Sequence, residues 1–506
     1  MKTRAIAISW RVGTAALFIA IAILVRGTTL GVWTLLNPDE AELMAQGRAA
    51  MVSFLPFSTW TISTTGPFFV QFLALLGLLG LPLTIAFAHL LSAVLVGVSG
   101  WFVFLLVRRA LTMVPAIALT ALVWLPVALV YPVGGVGDFG ALSTEYFPTL
   151  LILGAALFST RVLSAHPWLF AVAGLLSGIA VGSKYQVLPL ALAVVAVQLL
   201  LLHQPLRRSI LLAVVWCAGA AVPFVALVVA LLVSPTTDWV LLEQSIGFLG
   251  AYSGQVTFPG RIVSTASLVF TQVCLFAGAL VLVWLGLGST RRVLLARTIL
   301  LASGLAAIFA GGMGFGHYLI ILYVALALAV ALPLRPDAVL VPPMTSRVTV
   351  ALAVFTAVAF AAFTIGPAVP HLRPTTPAMI ADSLSPQSVQ RDPVLEAACP
   401  AGSKVLIWGW ASEYYSNYSW QNTVPYMNSL PVTSTPRNIE NGIPMIERAV
   451  EASDCVIDAV GQPFFYFGAG SAIDVVYPEV AGELRDEFHV APGLIDCAEC
   501  RVFVRD

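Results

Sequence analysis

A few ionisable side chains stand out because they fall where hydrophobic stretches begin or end. Asp39 and Glu40 open the stretch NPDEAELMAQGRAAM (37–51). Asp138 and Glu145 share YPVGGVGDFGALSTEYFP (131–148). Lys184 sits in GSKYQ, Arg261 precedes an apolar run, and His317 lies in GGMGFGHYLIILY (311–323). A carboxylate so placed can take a proton from a hydroxyl or an amine as general base. Lysine and arginine can meet a phosphate, lysine as a compact point charge. Histidine can bond a phosphate or a hydroxyl. Each residue also has a plainer use. Asn37, Pro38, Asp39 and Glu40 read as an ordinary helix start, with a cap, a first-turn proline and acids at the positive end of the macrodipole. Glu145 is a first-turn acid behind Ser143, and Asp138 a turn residue. Lys184 can snorkel to headgroups, and His317 can satisfy an amide at a helix start. Leu43, Gly47, Ala50 and Met51 follow at helical spacing. The stretch is therefore expected to be an amphipathic helix at a membrane surface.

The elements that must position these groups are membrane spans. Hydrophobic residues make up 59% of the 506 and charged residues 10%, and mean hydropathy is +0.94. Runs of ~20 apolar residues, enough to cross ~30 Å of hydrocarbon, recur along the chain. The first follows Lys2, Arg4 and Arg11 and reads as an uncleaved span. Eleven spans are expected: Trp10–Val25, Leu83–Val107, Leu111–Tyr131, Tyr146–Thr160, Trp168–Ser183, Val187–Leu202, Ser209–Val233, Ile262–Leu287, Ala296–Gly312, Tyr318–Leu334 and Val348–Pro367. Phe68–Leu81 is short and is read as a surface or re-entrant segment. That choice puts Arg108, Arg109, Arg161, Arg207, Arg208, Arg291, Arg292, Arg297, Arg335 and Arg347 on one side, as the positive-inside rule requires. The N-terminus is then cytoplasmic. Asp39, Glu40, Glu42, Asp138, Glu145, Asp238 and Glu243 then share the outer side, and only Asp337 falls inside. Carboxylates beside hydrocarbon are costly without work or partners. No basic block suits nucleic acid.

Residues 1–369 thus form a polytopic α-helical membrane part. Residues 370–506 are more polar and are expected to be an extracytoplasmic α/β domain, with strands at Lys404–Trp410, Cys455–Val460 and Arg501–Val504. Cys399, Cys455, Cys497 and Cys500 all fall in it, and an oxidising compartment favours one or two disulfides. A structural zinc with Cys497 and Cys500 as a C-x-x-C pair is the alternative. Cys217 and Cys274 lie in spans as inert core.

The order of these motifs resembles the membrane glycosyltransferases of the GT-C fold, in the branch related to protein O-mannosyltransferases and the lipid A aminoarabinose transferase. The resemblance rests on Asp39-Glu40 after span one and on the proline-led GPFFVQFLALLG. It continues through Asp138 or Glu145 before YFPTLLILGAAL, GLLSGIAVGSKYQVLPL with Lys184, and His317-Tyr318 opening a late span. Thr65-Gly66-Pro67 stands where family members often have His-Pro-Pro or Lys-Pro. The resemblance implies a multi-pass enzyme of the cytoplasmic (inner) membrane. It would move a hexosyl or pentosyl group from a polyprenyl-phosphate sugar donor to an extracytoplasmic acceptor, whether a cell-envelope glycan, a lipid or a protein. Asp39 would be the general base, with Glu40 its orienting partner or substitute. Lys184, with His317 or Arg261, would meet the phosphate, and Glu145 or Asp138 would position acceptor or sugar. The outer acids leave room for a divalent metal, but no ligand spacing demands one, and no other cofactor is implied. The alternative is a transporter or flippase of a lipid-linked or anionic substrate. It would favour mid-span charges and internal symmetry, and the sequence shows neither.

Overall fold

The computed structural model describes residues 2–30, 35–129, 140–160, 167–270, 290–334, 375–385, 391–418, 420–460, 472–491 and 500–506. In chain order the helices used below are α1 (Lys2–Val25), α2 (Pro38–Val52), α3 (Pro67–Leu78), α4 (Ile85–Arg108), α5 (Met113–Leu129) and α6 (Tyr146–Ser159). They continue with α7 (Trp168–Ser183), α8 (Leu188–Leu202), α9 (Leu206–Val233), α10 (Trp239–Gly254), α11 (Arg291–Gly311) and α12 (Leu319–Ala331). Residues 258–270 are helical too. Nine expected spans thus coincide with helices, although α1 begins at Lys2 rather than Trp10. The start of a tenth, Ile262–Leu287, is helical. Its remainder and Val348–Pro367 lie outside the described residues. Among the described residues, four helical stretches are long and apolar enough by themselves to cross a membrane: Ile85–Arg108, Tyr185–Leu202, Leu206–Val233 and Arg291–Gly311. At 1.5 Å per residue, the 12 residues of α3 reach only about 18 Å.

The chain forms two compact units. The first is Met1–Gly31, His89–Ala226 and Val256–Ile380; the second is Val32–Ala88, Leu227–Gln255 and Ala381–Asp506. Contacts therefore group the C-terminal residues with α2, α3 and α10.

In the first unit, small residues let helices approach closely. A Cβ on Gly174 of α7 would lie 2.0 Å from Trp216 O of α9. One on Gly178 would lie 2.3 Å from Ala220 O, and one on Gly219 of α9 would lie 2.1 Å from Ala171 O. The G-x-x-x-G pattern before Lys184 is thus a helix-packing surface. α11 and α12 form a hairpin whose turn uses Gly312 (φ +73) and Gly314 (φ +70), a backbone region that side chains disfavour.

In the second unit, α2 starts as its sequence predicts. Asn37 Oδ1 accepts from Asp39 N at 2.9 Å, Pro38 takes the first turn, and Glu40 closes a capping box. The expectation of a one-sided amphipathic helix is corrected. Ala41, Glu42, Leu43, Met44, Ala45, Gln46, Gly47 and Ala50 are all buried, while Met51 is exposed. The reason is packing on several sides, by α3 and by a short C-terminal helix, α13 (Glu413–Asn417). The C-terminal residues form a five-stranded sheet with β1 (Lys404–Trp408), β2 (Gln421–Asn422), β3 (Cys455–Asp458), β4 (Phe488–Val490) and β5 (Arg501–Arg505). Its order is β2-β1-β3-β5-β4, with β1 parallel to β2 and β3, and β5 antiparallel to β3 and β4. α14 (Pro436–Ala452) is capped by Thr435, whose hydroxyl accepts from Asn438 N at 3.0 Å. Cys399 and Cys455 form a disulfide, and Cys500 is disulfide-bonded as well. The disulfide reading holds and the zinc alternative does not.

Candidate active site

Three of the residues expected from sequence converge in the first unit, each delivered by a junction at a helix end. Glu145 is the N-cap residue of α6. Lys184 follows α7 in extended backbone (φ −153, ψ 107), and one 3-10 turn, Tyr185–Val187, then leads into α8. That break turns the lysine inward. His317 sits in the 3-10 turn Gly316–Tyr318 that opens α12.

Lys184 Nζ donates to Thr144 Oγ1 at 2.8 Å and stands 3.3 Å from Glu145 Oε1. His317 Nε2 is 4.0 Å from the same oxygen. Glu145 is 0% exposed, Lys184 3% and His317 4%. Lys184 therefore does not snorkel. Its charge faces inward, over the Tyr318 ring at 5.9 Å. His317 stacks on Phe315 and meets Tyr318 edge-on. Both carboxylate oxygens of Glu145 are buried, and Lys184 is the charged donor beside them. Such a carboxylate can still accept hydrogen bonds from a bound hydroxyl.

Sequence reasoning passed over Arg26, which lies one residue away from this cluster through Tyr146. The guanidinium is buried. It donates to Ser92 Oγ at 2.6 Å, Tyr146 Oη at 2.9 Å and Val127 O at 3.2 Å. The signal was available: Arg26 directly follows the first expected span, Trp10–Val25.

Arg261, expected near a phosphate, holds the end of α11. It donates to Ala310 O at 3.1 Å and Phe309 O at 3.5 Å, where helix carbonyls lack intrahelical donors. Asp138 lies outside the described residues.

Asp39 and Glu40 belong to the second unit. Asp39 is half-buried in the first turn of α2. Glu40 is fully buried, and its Oε1 accepts from Leu36 N at 2.8 Å and from Asn37 N at 3.4 Å. Its carboxylate is thus engaged at the helix start that presents Asp39. Glu42 was grouped with the outer acids and assigned no role. Its Oε1 accepts from Gln46 Nε2 at 3.0 Å and from Ser63 Oγ, and its Oε2 from Asn428 Nδ2 at 2.8 Å. A partner 386 positions away left no mark in the sequence. Among the described residues no group of three or more His, Cys, Asp or Glu could hold a metal ion.

No protein-family model matches the sequence, and no curated protein does. Among solved structures, the chain is similar to the mycobacterial arabinofuranosyltransferase AftD, with a TM-score of 0.47 and 15% identity. That likeness covers 98% of this chain and 41% of AftD, so the chain spans well under two thirds of that protein's length. It is also similar to the oligosaccharyltransferase AglB of Archaeoglobus fulgidus, solved with an inhibitory peptide and a dolichol-phosphate. There the TM-score is 0.42 and identity 14%, over 97% of this chain and 74% of that one. An apo form of the Archaeoglobus fulgidus oligosaccharyltransferase gives a TM-score of 0.43 and 13% identity, over 97% and 75%. At these TM-scores the likenesses carry no weight for fold or activity.

Proposed function

We propose that the chain is an integral membrane glycosyltransferase of the GT-C type. It moves a sugar from a polyprenyl-phosphate donor to an acceptor on the extracytoplasmic side. What supports this reading most is the buried cluster of Glu145, Lys184 and His317. A buried carboxylate sits beside a lysine and a histidine, at the junctions of three apolar helices. Lys184 and His317 are the groups proposed to face the donor phosphate, and Glu145 holds them and accepts from a substrate hydroxyl. Asp39 is the proposed general base, presented by the capping that Asn37 and Glu40 provide. An acceptor oxygen or nitrogen attacks the anomeric carbon as Asp39 takes its proton. The anomeric carbon–oxygen bond breaks, and polyprenyl phosphate leaves with the electron pair, its charge met by the cations.

The test is transfer in liposomes from a panel of labelled polyprenyl-phosphate sugars, with candidate acceptors present. Asp39→Ala is expected to lower release of polyprenyl phosphate by on the order of a hundredfold or more while donor binding survives. Lys184→Met is expected to weaken donor binding itself. Transbilayer movement of the lipid-linked sugar with no release of polyprenyl phosphate would replace this reading with a flippase.

A further inference from the structure

A second buried cation lies far from Glu145. Arg297, in the second turn of α11, is 1% exposed, and its Nε and Nη1 are buried without a hydrogen-bond acceptor among the described residues. No carboxylate among the described residues pairs with it. A guanidinium does not shed its proton in a protein, and a buried charge without a partner costs several kcal/mol. Gln198 of α8, 4% exposed, also buries an amide donor, Nε2, without an acceptor among the described residues.

Packing within the first unit brings these donors to one end of the same helices. A Cβ on Gly311 would lie 2.0 Å from Gln186 Nε2, so the end of α11 meets the start of α8 and the two run antiparallel. Arg297 precedes Gly311 by as many residues as Leu200 follows Gln186, which puts it about level with the last turns of α8, where Gln198 lies. Gly304 of α11 seats against Ala325 and Leu322 of α12, which sets Arg297 level with the end of α12. At 1.5 Å per residue Arg297 is about 21 Å along α11 from Gly311, and so from the Lys184 end.

The orphaned atoms of Arg297 and Gln198 are all donors. Buried donors without acceptors, on neighbouring helices at about the same level, fit an oxoanion, and a guanidinium fork matches phosphate oxygens. On its outer side α11 exposes Leu295 and Leu305, and α8 exposes Leu192, surfaces suited to hydrocarbon. We infer that Arg297 and Gln198 hold the phosphodiester of an anionic lipid between the ends of α8, α11 and α12. The site depends on the packing of one unit alone and stands apart from the transfer reaction.

The experiment uses the purified, delipidated full chain in nanodiscs of phosphatidylglycerol or of phosphatidylcholine. Bound lipid is counted by native mass spectrometry, and thermal unfolding is followed in parallel. The wild type is expected to retain phosphatidylglycerol selectively and to unfold at higher temperature in it. Arg297→Leu is expected to lower phosphatidylglycerol affinity by on the order of tenfold, the loss of one charge-assisted bond. Gln198→Leu is expected to lower it by less. If the arginine variant does not fold, the Gln198 variant decides. Unchanged lipid retention in the variants that fold overturns the site. Stabilisation by inorganic phosphate alone, with no lipid selectivity, overturns the lipid assignment.

Discussion

Glu145 and Lys184 neutralise each other where neither meets water, so each depends on the other. Removing one partner of a buried pair leaves a bare charge, which costs about 3–5 kcal/mol. Lys184→Met should therefore destabilise the first unit by that order, and Glu145→Gln added to it should restore most of the loss. Detergent unfolding of the two single variants and the double variant measures this coupling. A different carboxyl, Glu413 on α13, is not ion-paired. Burial pushes it up to about 7, and its Oε2 lacks a donor. Between the ordinary carboxylate range and pH 7, the folded chain keeps a proton that the unfolded chain has shed. Stability should fall as pH rises through that window and level off above it. Glu413→Gln should flatten the slope and raise the unfolding temperature at pH ~8 most, because the variant stays neutral. A slope that survives the substitution would assign the effect to other groups.

At the scale of elements, glycines decide how α7 and α9 meet. Gly178→Leu would drive a side chain into Ala220 O, and no rotamer relieves a clash with backbone. The variant should lose folded yield in detergent, whereas Gly13→Leu, with open space around it, should not. On α2 the cap matters more than the apolar stripe. Asn37→Ala should cost about 1 kcal/mol of stability. By loosening the turn that carries Asp39, it should also lower turnover more than donor binding. The helix start was legible because capping is local, written within four residues. The burial of α2 on several sides was not, because α13 and Asn428 come from more than 360 residues away.

For the whole molecule, the Cys399–Cys455 bond spans 56 positions. In the chain-entropy account a loop of that size contributes about 4 kcal/mol. Cys399→Ala with Cys455→Ala should make unfolding of the C-terminal sheet occur at lower temperature and depend less on reductant. The same bond joins the segment before β1 to β3, the central strand between β1 and β5. The sheet's three long strands were each visible as apolar runs. Their order was not, since one sequence pattern serves parallel and antiparallel neighbours alike.

The sequence by itself determined most of the apolar helices and the start of α2, but not α10. It also picked out Glu145, Lys184 and His317 as the groups at the helix junctions. Hydrophobic runs, caps and isolated charges are local or compositional, and a linear reading recovers them. Only the tertiary structure decided that those three groups meet, that Arg261 serves the end of α11, that Glu42 binds Asn428 and that Arg297 is buried without an acceptor among the described residues. Each of those facts depends on which distant helix end comes within about 3–4 Å, the reach of a hydrogen bond or ion pair. Spacing along the chain does not record that distance.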